Sequence, residues 1–140
     1  MTKKRIVIIG AGVSGLLCGK RLTEAGHSAL LIDKGRNVGG RLSTRRTDGA
    51  IFHHGASSLP DFYKHKDLPE FGLETLKRAE REKVIRRQGD LFEPVRSVSH
   101  LVNFFAKSLT IRKSCEVTFL NLQNKTIDVT CRSDSSKKIP

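Results

Sequence analysis

The sequence predicts an α/β fold that opens with a strand–helix–strand unit whose two strands are parallel. The β-branched apolar run Arg5 to Ile9 ends at a glycine, which is typical of a strand buried on both faces. Gly12 to Ala25 has apolar residues on one side and charged residues on the other, as an amphipathic helix does, and Gly26 is a suitable stop. A second buried strand, Ala29 to Ile32, follows, so the crossover should be right-handed.

The rest of the chain predicts short strands, hairpins and two helices, without an internal repeat. In order, these are a glycine- and arginine-rich loop at Gly35 to Arg46, a short strand at Ala50 to Ala56, a helix at Leu68 to Glu82, a hairpin of Lys83 to Arg87 with Leu91 to Val95, a helix capped by Ser97 or Ser99 and running through Lys107, a hairpin of Glu116 to Leu122 with Thr126 to Cys131, and a loose polar end at Ser133 to Pro140.

The chain is strongly basic, with a formal net charge of +12 and a pI of about 10.1, which favours anionic partners. The densest cluster of basic residues, Lys77 to Arg87, is interleaved with glutamates and is typical of a solvated helix face. A nucleic-acid-binding protein is the least favoured alternative, because no recognised module or aromatic stacking platform accompanies the charge. We therefore expect a small-molecule substrate, no nucleic-acid partner and no membrane partner, and leave a homo-oligomer open.

The three cysteines, Cys18, Cys115 and Cys131, are odd in number and widely spaced. This pattern predicts reduced thiols in a cytoplasmic protein, without a disulfide framework or a zinc site. Cys18 lies on the first predicted helix and is expected to be a small buried hydrophobe. His53 and His54 are adjacent on a predicted strand and would point to opposite faces, so we expect no metal site there.

A glycine fingerprint, G-x-G-x-x-G, directly follows the first strand. The first glycine makes the tight turn, the second lets a pyrophosphate approach the backbone, and the third lets the helix pack on the strand. The helix N-terminus would hold the anion, and Asp33, at the end of the second strand, would accept hydrogen bonds from an adenosine ribose. The candidate residues in this turn are Gly10, Ala11, Gly12, Val13, Ser14 and Gly15. The predicted fold is therefore a Rossmann-like FAD/NAD(P)-binding βαβ fold.

The segment that follows Asp33 favours FAD over NAD. It runs through Lys34 to Gly39-Gly40-Arg41-Leu42 and resembles the extension that follows the acid in the flavin-containing amine oxidase family. Paired glycines permit close passage past a diphosphate, and an arginine supplies fixed positive charge. The resemblance implies an FAD cofactor, with Lys34, Gly40, Arg41 and Leu42 among its binding residues.

Gly49 to Ala56 resembles the renalase-like branch of that family, which carries a Gly-Ala pair near the flavin ring. That pair is Gly55-Ala56 here, next to His54, while His53 stands where the branch has an aspartate. The resemblance implies hydride transfer from a small substrate to the flavin, with reoxidation by O2. It also implies that Val117 meets the adenine. No catalytic residue follows from the sequence.

The fingerprint requires more protein than 140 residues usually provide, since two-domain flavoenzymes need several times ~100–150 residues. We expect residues 1–56 to form the FAD-binding unit and GGR loop, 57–96 to begin a substrate-domain insertion, and 97–140 to return to an incomplete FAD-binding domain. Two functions stay open: an FAD-dependent oxidoreductase of EC class 1, or a truncated non-catalytic module that binds FAD or ADP.

Overall fold

The computed structural model describes residues 2–131 and 134–139, and it does not describe the side chains of 43, 45, 46, 51, 54 and 134–139. The chain divides into two compact units. The first unit consists of Met1–Gly40 and Ser108–Pro140, and the second unit consists of Arg41–Lys107. In chain order the elements are β1 (Arg5–Ile9), α1 (Val13–Glu24), β2 (Ser28–Ile32), β3 (Leu42–Thr47), β4 (Ala50–Gly55), β5 (Leu59–Pro60), a 3₁₀ helix (Phe62–Lys64), α2 (Glu70–Arg81), β6 (Ile85–Gln88), β7 (Leu91–Pro94), α3 (Val98–Ala106), β8 (Thr110–Arg112), β9 (Cys115–Asn121), β10 (Thr126–Cys131) and β11 (Asp134–Ile139).

The first unit contains a parallel sheet in the order β1-β2-β8, with α1 connecting β1 to β2. The predicted α/β fold, the parallel strand pair and the helix stop at Gly26 are confirmed, since Gly26 has a φ of +83°. Leu16 of α1 and Leu31 of β2 are fully buried. The short strand β8 follows no strong sequence pattern and was not predicted.

The prediction that β1 is buried on both faces is wrong. β1 lies at the edge of its sheet and pairs only with β2 among the described residues. Val7 and Ile9 are 37% and 56% exposed. The apolar composition of β1 is typical of a central parallel strand, but no layer of the first unit covers its outer face.

A second sheet of the first unit has the order β11-β10-β9, all antiparallel. The predicted hairpin of β9 and β10 is confirmed. Ile32 of β2, Cys115 of β9 and Val129 of β10 form a buried cluster that joins this sheet to the parallel one. The expectation of a loose end is wrong for Asp134–Ile139, which pairs with β10 through its backbone despite its polar sequence. Residues 132, 133 and 140 of that prediction lie outside the described residues.

The cysteine prediction is also wrong in two respects. Cys115 and Cys131 form a disulfide. They are wide apart in sequence, but the hairpin register places them directly opposite each other on β9 and β10. Cys18 is a free thiol and is exposed, because it lies on the outer side of α1.

In the second unit, β3 and β4 form a hairpin whose register runs from Leu42 opposite Gly55 to Thr47 opposite Ala50. The strand at Ala50 to Ala56 is confirmed, but the loop predicted through Arg46 is wrong for Leu42–Thr47. Asp48 and Gly49 have φ values of 46° and 79°, as a two-residue type I′ turn requires. That Asp-Gly pair was the sequence signal for this hairpin.

The other predicted elements of the second unit are confirmed, namely α2, the β6–β7 hairpin and α3. The Ser97 side chain caps α3 by accepting a hydrogen bond from the backbone N–H of His100 at 3.2 Å. Buried Phe62 stacks on buried Phe92 of β7, with ring centroids 4.2 Å apart. Asp61 is buried and accepts hydrogen bonds from Tyr63 N and from the Arg87 guanidinium.

None of the described helices is long and apolar enough to cross a bilayer. Within residues 2–131 and 134–139, no group of three or more His, Cys, Asp or Glu side chains could hold a metal ion.

Candidate functional site

The glycine turn between β1 and α1 has the geometry of an anion site. Gly10 has a φ of +100°, which favours glycine, and its N–H donates to Ile32 O at 2.8 Å. α1 begins at Val13, and its first intrahelical bond joins Leu16 N to Gly12 O at 2.9 Å. The N–H groups of Val13, Ser14 and Gly15, which precede Leu16 in α1, therefore lack intrahelical partners. No acidic residue lies in the first turn to compete with an anion.

The other two glycines differ sharply in their surroundings. A Cβ at Gly15 would lie 2.1 Å from Gly10 O, so only glycine lets α1 pack this closely on the turn after β1. A Cβ at Gly12 would meet nothing within 4 Å. The space in front of Gly12 is therefore open to a ligand that approaches the backbone.

The Asp33 carboxylate links three segments of the first unit. Its Oδ2 accepts a hydrogen bond from Ala11 N at 2.6 Å, and its Oδ1 accepts one from Gly35 N at 2.7 Å. Each oxygen keeps one lone pair, because an ionised carboxylate offers about four acceptor positions. Asp33 can thus fix the glycine turn and still accept hydrogen bonds from ligand hydroxyls.

The loop after β2 folds back onto the glycine turn. Gly39 N donates to Ala11 O at 2.8 Å, and Gly12 and Gly39 form an isolated parallel bridge. Gly39 and Gly40 have φ values of 117° and 56°, and a Cβ at Gly40 would lie 3.3 Å from Gly12 Cα. The paired glycines therefore form part of the same anion-facing surface as the fingerprint.

A cavity of about 390 Å3 extends from the glycine turn to β9. Nine residues line it, and five of them are predicted site residues. The nine are Ile9, Gly10, Ile32, Asp33, Lys34, Gly40, Cys115, Glu116 and Val117. The sequence-predicted residues Gly10, Asp33, Lys34, Gly40 and Val117 thus share one cavity.

Backbone groups of Val117 point away from β10. Cys115 N donates to Asp33 O at 3.0 Å, so the backbone polar groups of Cys115 face away from its hairpin partner. In an antiparallel strand this direction repeats every second residue, which gives Val117 the same orientation. A ligand in the cavity can therefore meet one donor and one acceptor at the edge of β9.

Four lining residues were not among the predicted site positions: Ile9 and Ile32, which adjoin predicted residues, and Cys115 and Glu116 at the start of β9. Glu116 also borders a neighbouring cavity of about 460 Å3, which Lys34, Gly35, Ser114 and Thr130 complete. Cys115 and Glu116 begin β9 beside Val117. Their place next to Val117 was the sequence signal that could have identified them.

The remaining predicted site residues belong to the second unit. Arg41 is exposed and Leu42 is buried. Leu42 pairs with Gly55, and a Cβ at Gly55 would lie 2.4 Å from Arg41 O, so this end of the β3–β4 hairpin is tightly closed. Ala56 follows β4 and is exposed. The His54 backbone pairs with Ser43, and its side chain lies outside the described residues.

Comparisons with known proteins agree with this geometry. Residues 8–71 match the family model of an NAD(P)-binding Rossmann-like domain. Over 62 residues, the chain is 40% identical to a 4,4'-diapophytoene desaturase (4,4'-diaponeurosporene-forming) of Staphylococcus aureus strain Newman. That match covers 43% of this chain and 12% of the desaturase, so the chain spans a small part of the relative's length.

Solved structures share the fold at low sequence identity. CmlS, a flavin-dependent halogenase, matches with a TM-score of 0.61 at 15% identity, over 99% of this chain and 28% of its own. A protein of Pyrococcus furiosus matches with a TM-score of 0.64 at 15% identity, over 95% of this chain and 56% of its own. The chain therefore has a Rossmann-like fold of the α/β class.

Proposed function

We propose that the first unit binds FAD, and that the chain is the cofactor-binding part of an FAD-dependent oxidoreductase. One observation carries this proposal: the open position at Gly12 and the cavity that joins the Asp33 carboxylate to Val117 offer, in order, sites for a diphosphate, a ribose and an adenine. The adenosine diphosphate half of FAD needs these three sites in that order.

Each part of the dinucleotide has a chemical counterpart in the first unit. The N–H groups at the start of α1 and the positive end of that helix would hold the diphosphate, while the N–H groups of Gly10 and Ala11 are engaged with Ile32 O and Asp33 Oδ2. Asp33 would accept hydrogen bonds from the ribose hydroxyls. At Val117, a backbone N–H and C=O would bind the N1 acceptor and N6 donor of adenine, a pairing that guanine cannot reproduce.

The choice of FAD over NAD rests on the Gly39-Gly40-Arg41 segment and on the relatives. The fold shared with a flavin-dependent halogenase supports a flavin, and the match to a desaturase supports an oxidoreductase. Bound FAD would accept a hydride from a small substrate, and the protein would hold, orient and shield it. The amine oxidase or renalase-like chemistry, and reoxidation by O2, belong to this proposal.

The roles that the resemblance implies for residues of the second unit belong to the same proposal. Arg41 and Leu42 would reinforce the phosphate contacts, and His54, Gly55 and Ala56 would approach the flavin ring. Residues 57–96 would begin the substrate-domain insertion, and residues 97–140 would return to the cofactor domain. A cytoplasmic location is part of the same proposal.

A second candidate function is a non-catalytic module that binds FAD or ADP. The observation that favours it is that the glycine turn, Asp33 and the cavity of the first unit suit an adenosine diphosphate without requiring any chemical step. A chain that binds FAD but does not reduce it with any primary amine or reduced nicotinamide would fit this second function.

The first test is the visible spectrum of the purified chain, followed by titration with FAD and with ADP. We expect flavin absorption or saturable uptake of added FAD. The variant Gly12→Val is the sharpest probe, because its φ of −71° suits any residue and its side chain would fill only the open space. It should keep the fold and weaken binding of both ligands at least about tenfold, which is about 1.4 kcal/mol.

The matched control is Gly72→Ala in α2 of the second unit, where a Cβ would meet only the Leu68 side chain at an ordinary contact distance of 3.6 Å. It should leave affinity for ADP unchanged. Equal affinities of the wild type and Gly12→Val, with intact circular dichroism, would overturn the assignment of the diphosphate site.

A further inference from the structure

We propose that the Cys115–Cys131 disulfide is a redox switch of the nucleotide cavity, so that its reduction weakens adenine-nucleotide binding. This inference rests on the function proposed above. The disulfide is not remote from the site: Cys115 itself lines the cavity between Asp33 and Val117.

The disulfide fixes β9 to β10 at the end where the cavity lies. Cys115 and Cys131 are directly opposite in the register, with Cα atoms 4.0 Å apart. This close spacing and the outward Cys115 N–H identify a pair without backbone hydrogen bonds between its members. At this pair the two strands are therefore joined by the covalent bond and not by the ladder.

Cys115 also holds Asp33 in position, the residue whose carboxylate would bind the ribose. Cys115 N donates to Asp33 O at 3.0 Å, and the neighbouring Ser114 N donates to Gly35 O at 2.9 Å. Asp33 in turn binds Ala11 N and Gly35 N through its carboxylate. A shift at Cys115 would thus be transmitted through two hydrogen bonds to the glycine turn.

The adenine-facing backbone depends on the same anchor. Val117 lies two residues beyond Cys115, and the ladder is irregular between Asp128 and Val129, opposite that stretch of β9. An irregular ladder constrains β9 less than a regular one does. On this side of the irregularity, Val117 is held to β10 by the neighbouring Glu116–Thr130 pair and, one residue further, by the covalent bond of the disulfide.

Of the two sulfur atoms, Cys131 Sγ belongs to the more exposed residue and is the expected point of attack by a thiol. Cys115 is 7% exposed and Cys131 is half-buried. The thiolate of a dithiol reductant would attack Cys131 Sγ and release the Cys115 thiolate, and its second thiolate would then free Cys131. The protein gains two thiols and the reductant becomes a disulfide.

Binding and oxidation must then be coupled reciprocally. If the disulfide favours the cavity that binds a nucleotide, a bound nucleotide must favour the disulfide by the same factor. Couplings between sites are commonly about 5- to 150-fold. We expect reduction to weaken ADP binding by a factor in this range, and saturating ADP to shift the thiol–disulfide equilibrium toward the disulfide.

The experiment uses the full chain with Cys18→Ser, which leaves only the two cysteines of the switch. ADP affinity is measured by calorimetry after treatment with oxidised glutathione, after dithiothreitol, and after reoxidation. Thiols are counted in denaturant in parallel. We expect no thiol and tight binding, then two thiols and weak binding, then recovery. The double variant Cys115→Ser/Cys131→Ser should bind weakly in all three conditions.

The outcomes separate the two proposals. Equal ADP affinity in the oxidised and reduced states, or two thiols that persist in oxidised glutathione, would overturn the switch and leave the proposed function standing. An oxidised chain that binds neither ADP nor FAD would overturn the proposed function itself. A disulfide that only stabilises the fold would change the melting temperature, but ADP would not protect it from dithiothreitol.

Discussion

Gly12 and Gly15 are three residues apart, yet the structure demands glycine for different reasons. At Gly15 the demand is internal, because the backbone of Gly10 occupies the space that a Cβ would need. At Gly12 nothing in the described part of the chain fills that space. Gly15 is therefore required by the fold, and Gly12 leaves room for whatever lies in front of the turn.

This contrast predicts different losses of folding stability for two alanine variants. Gly15→Ala would place its Cβ 2.1 Å from Gly10 O and should destabilise the chain by about 1–3 kcal/mol, the usual cost of overpacking. Gly12→Ala should cost less than about 1 kcal/mol, since it only replaces one helix cap by a poorer one. Urea denaturation of both variants measures the difference, and equal losses would show that the close packing of α1 is absent.

Spacing in the sequence was sufficient to predict Gly10, Gly15 and Asp33, because their roles depend on local geometry. It could not reveal that the Asp33 carboxylate accepts hydrogen bonds from Ala11 N and Gly35 N, since those contacts depend on how the loop after β2 folds. The disulfide was missed for a related reason. Cysteine spacing along the chain carries no register, and the register of the β9–β10 hairpin brings the pair together.

Among elements, the 3₁₀ helix Phe62–Lys64 and the β6–β7 turn are joined by charged side chains. Lys64 Nζ lies 2.7 Å from Asp90 Oδ1, and both side chains are largely exposed. The hydrogen bond and charge of Lys64 lower the pKa of Asp90, and those of Asp90 raise the pKa of Lys64. Exposure to solvent keeps such a pair weak.

The signs of the two pKa shifts define a pH window. Asp90 ionises more easily in the folded chain, so its stabilisation is present above the ordinary aspartate pKa of 3.8 and is lost as the pH falls through the folded value. The stabilisation that Lys64 gives the folded chain is fully present below its ordinary pKa of 10.5. It is lost as the pH rises through the raised pKa that Lys64 has in the folded chain. Asp90→Asn should therefore lower the melting temperature slightly near pH 7 and have no effect below about pH 2.

Asp67→Asn is the matched control, because Asp67 is exposed on the same unit and no ion pair involves it among the described residues. Thermal melts at pH 2, 7 and 11 would test the window. A loss for Asp90→Asn that is as large at pH 2 as at pH 7 would rule out the charge pair as its cause.

Elements with strong local signals were predicted, and those held by long-range pairing were not. Helix α3 has a serine cap and an apolar face, and both are visible in the sequence. By contrast, β8 has three residues and exists because β2 offers it a parallel edge, and β11 is a polar segment paired to β10. The β3–β4 hairpin had a local signal, the Asp48-Gly49 turn, which the arginines around it obscured.

At the scale of the whole molecule, the outer edge of β1 has no partner strand within residues 2–131 and 134–139, which makes it the least satisfied feature of the first unit. A strand of this composition with one free edge is a template for pairing with another chain. We expect concentration-dependent self-association, and Val7→Lys should reduce it, because a lysine on an edge strand opposes pairing. Sedimentation velocity over a range of concentrations measures the effect.

Leu122→Lys provides the control, since Leu122 is 85% exposed in the turn between β9 and β10 and the change adds the same charge. It should leave self-association almost unchanged. If both lysine variants dissociate the chain equally, net charge and not the β1 edge governs association.

The first unit is built from two stretches of chain that are separated by the whole of the second unit. On a ribosome, β1, α1 and β2 emerge early, while β8 and the β9–β10 hairpin appear only after Lys107 has been translated. At about 5–20 residues per second, this delay lasts several seconds. During that interval both edges of the nascent β1–β2 pair are unpaired, and the backbone carbonyl oxygen of Asp33 lacks the hydrogen bond that Cys115 N donates to it in the folded chain. Chaperones should therefore bind mainly to the N-terminal forty residues during synthesis. Codon choice between Arg41 and Lys107 should change the yield of folded chain more than codon choice elsewhere.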